Sequence, residues 1–401
     1  MRLWLAGLAL AFSGLAGVAG CGPATLTPFD SDPPEPSRPP VATPVASASP
    51  TDLLAEMEVR SLDAELTDTI LTFASDGQAV LFSSGAAEDA ERGAAPDLWR
   101  ADAFSDDAPE VLWRNPARDH AIVKVAGDLG TVAFVDIPLD GSRAWDLWLI
   151  PRDTDKPILL DTHPGDESVS SLVPSFGVAE STVAWTAFDI GPDGPVSQLL
   201  WARGPRWEPE LLLERPAARA ELWFPSLGAN SLVYSEVRYS DDRESDTRSV
   251  YVLPLAQTGA EPVRLGDSDR ATMPVVIGTT VIWKEADPGF SMFNWGRLWR
   301  TELDGPGPRR LDTEPADYVN YPSAGSRFVA WWSADAYTFG VYDIVEDRPR
   351  VIETYAGASG ANVLRPHIAW DLLTWLYLEG ESPESRAELR YAVMPPVRAP
   401  R

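Results

Sequence analysis

An apolar triplet that ends in an aromatic residue recurs seven times along the chain, at intervals of 44 to 52 residues. Three successive apolar residues indicate a strand covered on both faces, because alternate side chains of a strand point to opposite sides. The chain is therefore a series of similar units, each packed against its neighbours. The triplets begin at Val80, Val132, Val183, Leu232, Val281, Val329 and Leu373.

A second aromatic series follows the triplets and marks a third strand in each unit. A repeat of about fifty residues built from strand-like segments is typical of a β-propeller. We therefore predict an all-β fold over residues 51–396, a seven-bladed β-propeller of four-stranded antiparallel blades. Six blades remain the alternative if one repeat is degenerate. The second series consists of Trp99, Trp148, Trp201, Tyr251, Trp299, Tyr342 and Tyr391.

Proline occurs at a regular place before the triplets. Because proline is tolerated where a missing N–H breaks no ladder, we predict that these prolines open the first strand of their blades. They are Pro174, Pro225, Pro274, Pro322 and Pro366.

The seventh unit lacks a fourth strand, since only Pro395, Pro396 and a short tail follow its third strand. Residues 57–62 precede the first unit and are strand-like. We predict that this segment completes blade seven and leaves no exposed sheet edge.

The first unit carries Ser75-Asp76-Gly77 before its triplet and Asp97-Leu98-Trp99 after it. This pattern resembles the TolB-like (WD40-like) propeller repeats of bacterial envelopes. The resemblance covers residues 57–394 and implies the propeller fold. The α/β domain that precedes the propeller in TolB has no counterpart here, so the resemblance does not imply TolB's role.

The N-terminus has the charge and length of a secretory signal, with Arg2 followed by an apolar run to Gly20. Val18-Ala19-Gly20-Cys21 resembles the lipobox of bacterial lipoproteins. That resemblance implies that residues 1–20 are removed as a signal peptide and that Cys21 is acylated. Cys21 is the one cysteine in the sequence, so no intramolecular disulfide forms.

Residues 21–50 are rich in proline, serine and threonine and cannot bury a core. We predict an extended tether, which at about 3.1 Å per residue reaches roughly 90 Å. Residues 397–401 form a short tail. Gly22 follows the cysteine where inner-membrane lipoproteins carry aspartate, so the resemblance implies the outer membrane, facing the periplasm or the cell surface.

The sequence is strongly acidic, with 60 Asp and Glu against 33 Lys and Arg and a net charge of −27. Such a surface repels phosphate backbones and anionic headgroups, which argues against nucleic-acid partners. Membrane attachment then depends on the acyl anchor alone. We expect a monomer.

The loops between second and third strands are the long ones, and together with the blade-to-blade loops they form the face on which propellers usually bind. They are acidic and contain aromatic residues outside the repeat positions. We predict that they dock an envelope protein or a glycan. The alternative is that these loops are only a solvated rim, in which a few loops are held in place by packing of their own aromatic side chains. The candidate anchors are Trp145, Tyr239, Phe290, Phe293, Trp295 and Tyr337.

Asp242, Glu244 and Asp246 alternate as ligands do in calcium loops, but the turn glycine and the closing glutamate are missing. We treat this segment as a weak metal candidate and expect no metal or other cofactor. His120, His163 and His367 are not part of a recognisable catalytic motif. The sequence thus favours a non-catalytic binding scaffold. The alternative is a carbohydrate- or peptide-active enzyme that uses acidic residues at the pore mouth.

Overall fold

The computed structural model describes residues 57–62, 70–85, 94–154, 156–165, 173–241, 246–256, 259–286, 296–305, 307–311, 313, 319–333, 338–354, 362–379 and 386–395. Every regular element in these ranges is a β-strand. The strands form seven four-stranded antiparallel sheets. The prediction of a seven-bladed, all-β propeller is therefore confirmed, and the six-bladed alternative is wrong.

Each of the first six blades takes four consecutive strands, from the inner strand at the channel to the outer strand. Blade 1 contains β2 (Phe73–Ser75), β3 (Ala79–Ser84), β4 (Asp97–Asp102) and β5 (Glu110–Arg114). Blade 2 contains β6 (His120–Asp128), β7 (Thr131–Pro138), β8 (Trp145–Ile150) and β9 (Ile158–His163). Blade 3 contains β10 (Phe176–Ala179), β11 (Thr182–Gly191), β12 (Gly194–Arg203) and β13 (Glu210–Pro216).

The remaining blades follow the same order. Blade 4 contains β14 (Ala220–Leu227), β15 (Ser231–Arg238), β16 (Thr247–Pro254) and β17 (Val263–Leu265). Blade 5 contains β18 (Ala271–Ile277), β19 (Thr280–Ala286), β20 (Gly296–Glu302) and β21 (Arg309–Arg310). Blade 6 contains β22 (Asn320–Ala324), β23 (Phe328–Ser333), β24 (Thr338–Asp343) and β25 (Arg348–Thr354). Blade 7 contains β26 (Asn362–Ala369), β27 (Leu372–Glu379), β28 (Arg386–Val393) and β1 (Val59–Ser61).

The repeated triplets lie on the second strand of every blade and form the centre of the core. Their large side chains are almost completely inaccessible to solvent, because each blade has a neighbour on both faces. An aromatic side chain of this size contributes 150–250 Å² of buried area, so these layers dominate the stability. The fully buried members are Phe82, Phe134, Trp185, Tyr234, Trp283, Trp331 and Trp375.

The third-strand aromatics pack beside the triplets. Phe82 stacks on Trp99 with ring centroids 6.3 Å apart, and Tyr234 stacks on Tyr251 at 5.6 Å. These pairs sit directly opposite each other in the strand register. Cross-strand aromatic pairs of this kind stabilise a sheet beyond the area they bury.

The regularly placed prolines do not open the first strands of blades 4 to 7, so that prediction is wrong. In blades 4, 5 and 6, strands β14, β18 and β22 begin before the proline, and a β-bulge places the residue–proline pair opposite one aromatic of the second strand. The same bulge occurs in β26 of blade 7. A bulged residue needs no ladder hydrogen bond, which is why proline fits there.

The N-terminal segment closes the ring as predicted. Strand β1 pairs with β28 in antiparallel register, with Val59 opposite Ala392 and Ser61 opposite Arg390. The Leu62 N–H adds a bond of 3.0 Å to the Leu389 carbonyl. Blade 7 is thus built from both ends of the described chain and is completed by a strand far away in sequence.

None of the described residues belongs to a helix that is both long enough and apolar enough to cross a bilayer.

Proline at position 60 tests the closure. Hydrogen-bonded pairs alternate along an antiparallel ladder, so the bond from Leu62 to Leu389 implies a second one from Arg60 to Tyr391. We expect Arg60→Pro to lower the free energy of unfolding by roughly 1–3 kcal/mol relative to Arg60→Ala, because it removes this ladder bond. Equilibrium denaturation measures the difference, and Arg60→Ala controls for the exposed ion pairs of the arginine. Equal stabilities of the two variants would contradict closure by β1.

Candidate functional site

Of the predicted loop anchors, Trp145 and Tyr239 lie within the described residues. Trp145 is the first residue of β8 and is 3% exposed, so it offers almost no surface to a partner. Its ring stacks on His163 with centroids 5.7 Å apart. Tyr239 follows β15, is partly buried, and bonds through its N–H to the Arg219 carbonyl at 2.9 Å. Phe290, Phe293, Trp295 and Tyr337 lie outside the described residues.

Asp246 is the one described member of the weak metal candidate. It accepts a hydrogen bond from the Ser240 N–H at 2.9 Å, so it fixes a local turn. Asp242 and Glu244 lie outside the described residues, as do the signal segment, the tether with Cys21 and the tail. Among the residues that the structure describes, no group of three His, Cys, Asp or Glu is placed to hold a metal ion.

Asp136, one of the acidic residues of the predicted binding face, is buried at the end of β7. One of its oxygens lies 2.7 Å from His120 Nδ1 and accepts a bond from the Asn115 amide at 3.0 Å. Burial raises the pKa of Asp136 to about 6, although both hydrogen bonds oppose the shift. Asp136 thus connects Asn115 and His120, at the passage from blade 1 to blade 2, to strand β7. We therefore assign Asp136 a structural role.

The main concave feature of the described structure is a central channel of about 1330 Å³. The first strands of the blades surround it, and each has a hydrogen-bonded partner strand on its outer side only. Ligand sites are typically cavities of about 300–1,000 Å³ with apolar walls and a few polar groups. The channel is somewhat larger than this range and has this composition, and we take it as the candidate site.

Blades 4, 5 and 6 supply an apolar wall to this channel. Each contributes the residue that precedes the bulge proline, namely Phe224, Met273 and Tyr321. Their φ angles are +51°, +52° and +48°, in the left-handed region that side chains larger than glycine rarely adopt. The bulges therefore hold three large side chains at the channel at a cost in backbone strain.

Hydrogen bonds between inner strands join neighbouring blades around the channel. The Ser226 hydroxyl of blade 4 accepts the Val276 N–H of blade 5 at 3.2 Å. The Ser323 hydroxyl of blade 6 accepts the Ile368 N–H of blade 7 at 3.0 Å. These bonds satisfy backbone donors that the sheets themselves leave without a strand partner.

His367 makes the corresponding bond across the closure between blade 7 and blade 1. Its Nδ1 accepts the Ser75 N–H at 3.1 Å, so it occupies the place that serine holds in blades 4 and 6. Burial lowers the pKa of His367 to about 4, so the ring is neutral at ordinary pH. A neutral Nδ1 that accepts a backbone bond marks His367 as a link between blades.

The Ser75 hydroxyl lies 3.3 Å from the same His367 nitrogen, a distance that also occurs in nucleophile–base pairs. However, it donates to the Leu372 carbonyl at 3.0 Å, and Ser75 is completely buried. A catalytic serine has to reach its substrate. The pair is therefore structural.

One end of the channel carries a cluster of turn residues from different blades. Trp370 is 43% exposed; its indole N–H donates to Asp128 at 2.6 Å and its ring lies against Gly77. The second Asp128 oxygen accepts the Glu180 N–H at 2.5 Å. Burial raises the pKa of Asp128. These turns join first and second strands, so this mouth lies on the face opposite the predicted binding loops.

Lys124 is the one charged residue of the described channel lining that lies on a strand away from the turns. Its ammonium donates to the Pro174 carbonyl at 3.2 Å and lies 5.0 Å from the centre of the Phe176 ring. The other charged lining residues are Asp128, Glu180 and Arg203, all at strand ends or turns.

The sequence reasoning did not select these channel residues, because they lie at repeat positions that normally serve packing. One signal was present. At those positions most repeats carry small or apolar side chains, whereas blade 2 has Lys124 and blade 7 has His367.

No protein-family model matches the chain, and no curated protein matches it. Solved structures do match. A prolyl endopeptidase structure gives a TM-score of 0.56 at 14% identity over 81% of this chain, which spans 47% of that protein. This chain thus spans about half the length of that protein.

Two further structures match over nearly their whole length. The β-propeller domain of the Trilobed protease from Pyrococcus furiosus gives a TM-score of 0.55 at 10% identity, covering 83% of this chain and 96% of that one. An oligogalacturonate lyase from Vibrio parahaemolyticus gives a TM-score of 0.51 at 9% identity, covering 84% of this chain and 97% of that one. At such identities the likeness shows the β-propeller fold alone.

The role of His367 predicts a pH dependence. Its pKa is about 4 in the folded protein and about 6.5 in an unfolded chain, so the unfolded state takes up the proton first and stability is lost as pH falls from 6.5 towards 4. His367→Ser keeps a hydrogen-bond acceptor at this position but has no group that titrates in this range. We expect its free energy of unfolding to fall by roughly 1–3 kcal/mol less than that of the wild-type protein as the pH is lowered. Denaturation at several pH values measures it, with pH 8 as the common reference. If stability falls equally with pH in both proteins, folding does not change the proton affinity of His367, and the prediction is wrong.

Proposed function

We propose that this protein is a non-catalytic binding module of the bacterial cell envelope, with the central channel as its ligand site. The observation that carries the proposal is the composition of the channel. It is large enough for a ligand, has an apolar wall from blades 4 to 6, and holds few charged groups. Apolar walls with a few fixed polar groups are the usual make-up of binding sites.

Hydrogen bonds between blades hold several of the inner strands that line the channel. Its inner strands are tied by Ser226, Ser323 and His367 to the next blade. A preorganised site loses less entropy when a ligand binds than a site that must first be ordered. The strained backbone at Phe224, Met273 and Tyr321 supports the same conclusion, because strain of this kind concentrates at functional sites.

The proposed location depends on the sequence. Cys21 at the end of a signal-like segment supports acylation, and Gly22 supports the outer membrane. The TolB-like repeat pattern at Ser75-Asp76-Gly77 supports an envelope role. We propose residues 21–50 as the tether that holds the propeller clear of the membrane surface.

A carbohydrate-active enzyme is the second candidate. The observation that favours it is the likeness to an oligogalacturonate lyase over 84% of this chain. In that case Asp128 and Glu180 at the channel mouth are the acidic residues to test. The Asp128 carboxylate already accepts hydrogen bonds from the Glu180 N–H and the Trp370 indole. These bonds between turns argue that Asp128 has a structural role.

A bulky side chain in the channel tests the binding role. Ala179 is half-buried at the channel wall near the mouth, and Val263 is 56% exposed on the outer strand β17. We expect Ala179→Trp to reduce strongly the retention of a partner from crosslinked, detergent-solubilised envelopes, because the indole narrows the channel near its mouth. Val263→Trp is the matched control and should retain the partner fully. Mass spectrometry of the bound material, both proteins and glycans, gives the readout.

The same experiment separates the channel from the loops first predicted to bind. If shortening residues 287–295 removes the partner and Ala179→Trp does not, the site lies on the loop face and the channel proposal is wrong. Release of shortened oligosaccharides or peptides by the wild-type protein, lost in Asp128→Asn, would instead support the enzyme.

A further inference from the structure

The two sides of the channel differ in chemistry. In a closed ring of seven blades, blade 2 faces blades 5 and 6 across the central axis. Lys124 of blade 2 therefore lies opposite Met273 and Tyr321. One wall carries a positive charge, and the facing wall is apolar and aromatic.

Lysine is rare in this protein, which carries most of its positive charge on arginine. The sequence has three lysines, at positions 124, 156 and 284, and a net charge of −27. Such a protein repels anions in general, and most strongly those of several charges. Lys124 supplies one ammonium in a stretch of the channel whose other described lining residues are uncharged, which suits a ligand with one negative charge. A carboxylate fits this requirement better than a polyphosphate or a polyanionic glycan.

The inner strands add a second recognition element. Each has a strand partner on one side only, so its other edge turns N–H and carbonyl groups towards the channel. Some of these groups are used between blades, such as the N–H groups of Ser75, Val276 and Ile368. An extended peptide can bond to exposed edges of this type, whereas an alkyl chain cannot.

We propose that the channel binds the C-terminal end of a peptide whose last residues are apolar. The terminal carboxylate contacts the ammonium of Lys124, and the apolar side chains lie against Phe224 and Tyr321, which are only partly buried. This inference rests on the proposed binding role of the channel and names its ligand class.

The test compares two forms of one peptide. A fluorescein-labelled hexapeptide ending in Leu-Val-Phe is prepared as the free acid and as the C-terminal amide, and binding to the full-length protein is followed by fluorescence anisotropy. We expect the acid to bind about tenfold more tightly, because a charge-assisted bond is lost in the amide. This ratio requires no variant, so it does not depend on whether a substituted protein folds.

Lysine variants then assign the effect to one residue. Lys124→Met should bring the affinities of acid and amide to about the same value, because it removes the ammonium that distinguishes them. Lys156→Met is the matched control, since Lys156 is exposed and far from the channel lining, and it should behave like the wild-type protein. Lys124→Arg should keep part of the preference because it keeps the charge. Thermal melting of each variant verifies that it is folded.

Equal affinities of acid and amide, with both lost in Ala179→Trp, would overturn carboxylate recognition while the channel remains the binding site. Absence of binding by either peptide would overturn the proposal as a whole, and the envelope experiment with Ala179→Trp then decides separately whether the channel binds anything. Tighter binding of dodecanoate than of the peptide acid, with the same dependence on Lys124, would show that the ligand is a fatty acid and that the peptide assignment is wrong.

Discussion

Contact between the faces of neighbouring blades is the interaction on which the whole structure depends. A four-stranded sheet of this size has two apolar faces and cannot remain alone in water. Here the second-strand aromatics Trp185, Trp283 and Trp331 are completely buried because another blade covers each face. Such coverage is possible for every blade only if the ring closes. Closure in turn requires a strand from the N-terminal end of the propeller, and β1 supplies it.

A ring of blades also creates a channel whose walls are strand edges, and the protein has adapted these edges unequally. Blades 4, 6 and 7 use Ser226, Ser323 and His367 to bond the next blade. Blades 4 to 6 carry residue–proline bulges that bring large side chains to the channel. The inner strand edges can therefore serve both packing between blades and ligand recognition. The blades share one fold but differ in the side chains that they bring to the channel.

The sequence was sufficient for the architecture because the repeat has a physical cause. Each triplet has to be apolar at consecutive positions, so blade number, strand order and the closing segment could all be predicted. The prolines of blades 4 to 7 were assigned correctly to the first strands and wrongly to their starts, since sequence does not reveal the bulge that lets Pro225 lie inside β14. Trp145 was chosen because it falls outside the repeat positions, yet β8 begins there and its ring is covered. Lys124 and His367 were not selected, because their contacts come from strands that are distant in sequence, and their unusual residue types at repeat positions were the one available signal.

Closure by an N-terminal strand has a mechanical consequence. In the proposed lipid-anchored form, the covalent route from Cys21 to the propeller runs through β1, so tension between anchor and partner would act first on three paired residues, Val59 to Ser61. Peeling β1 away from β28 opens blade 7, the blade that also carries His367 and Trp370. In a tethered molecule, the force on the anchor and the shape of the channel are therefore linked through one short strand.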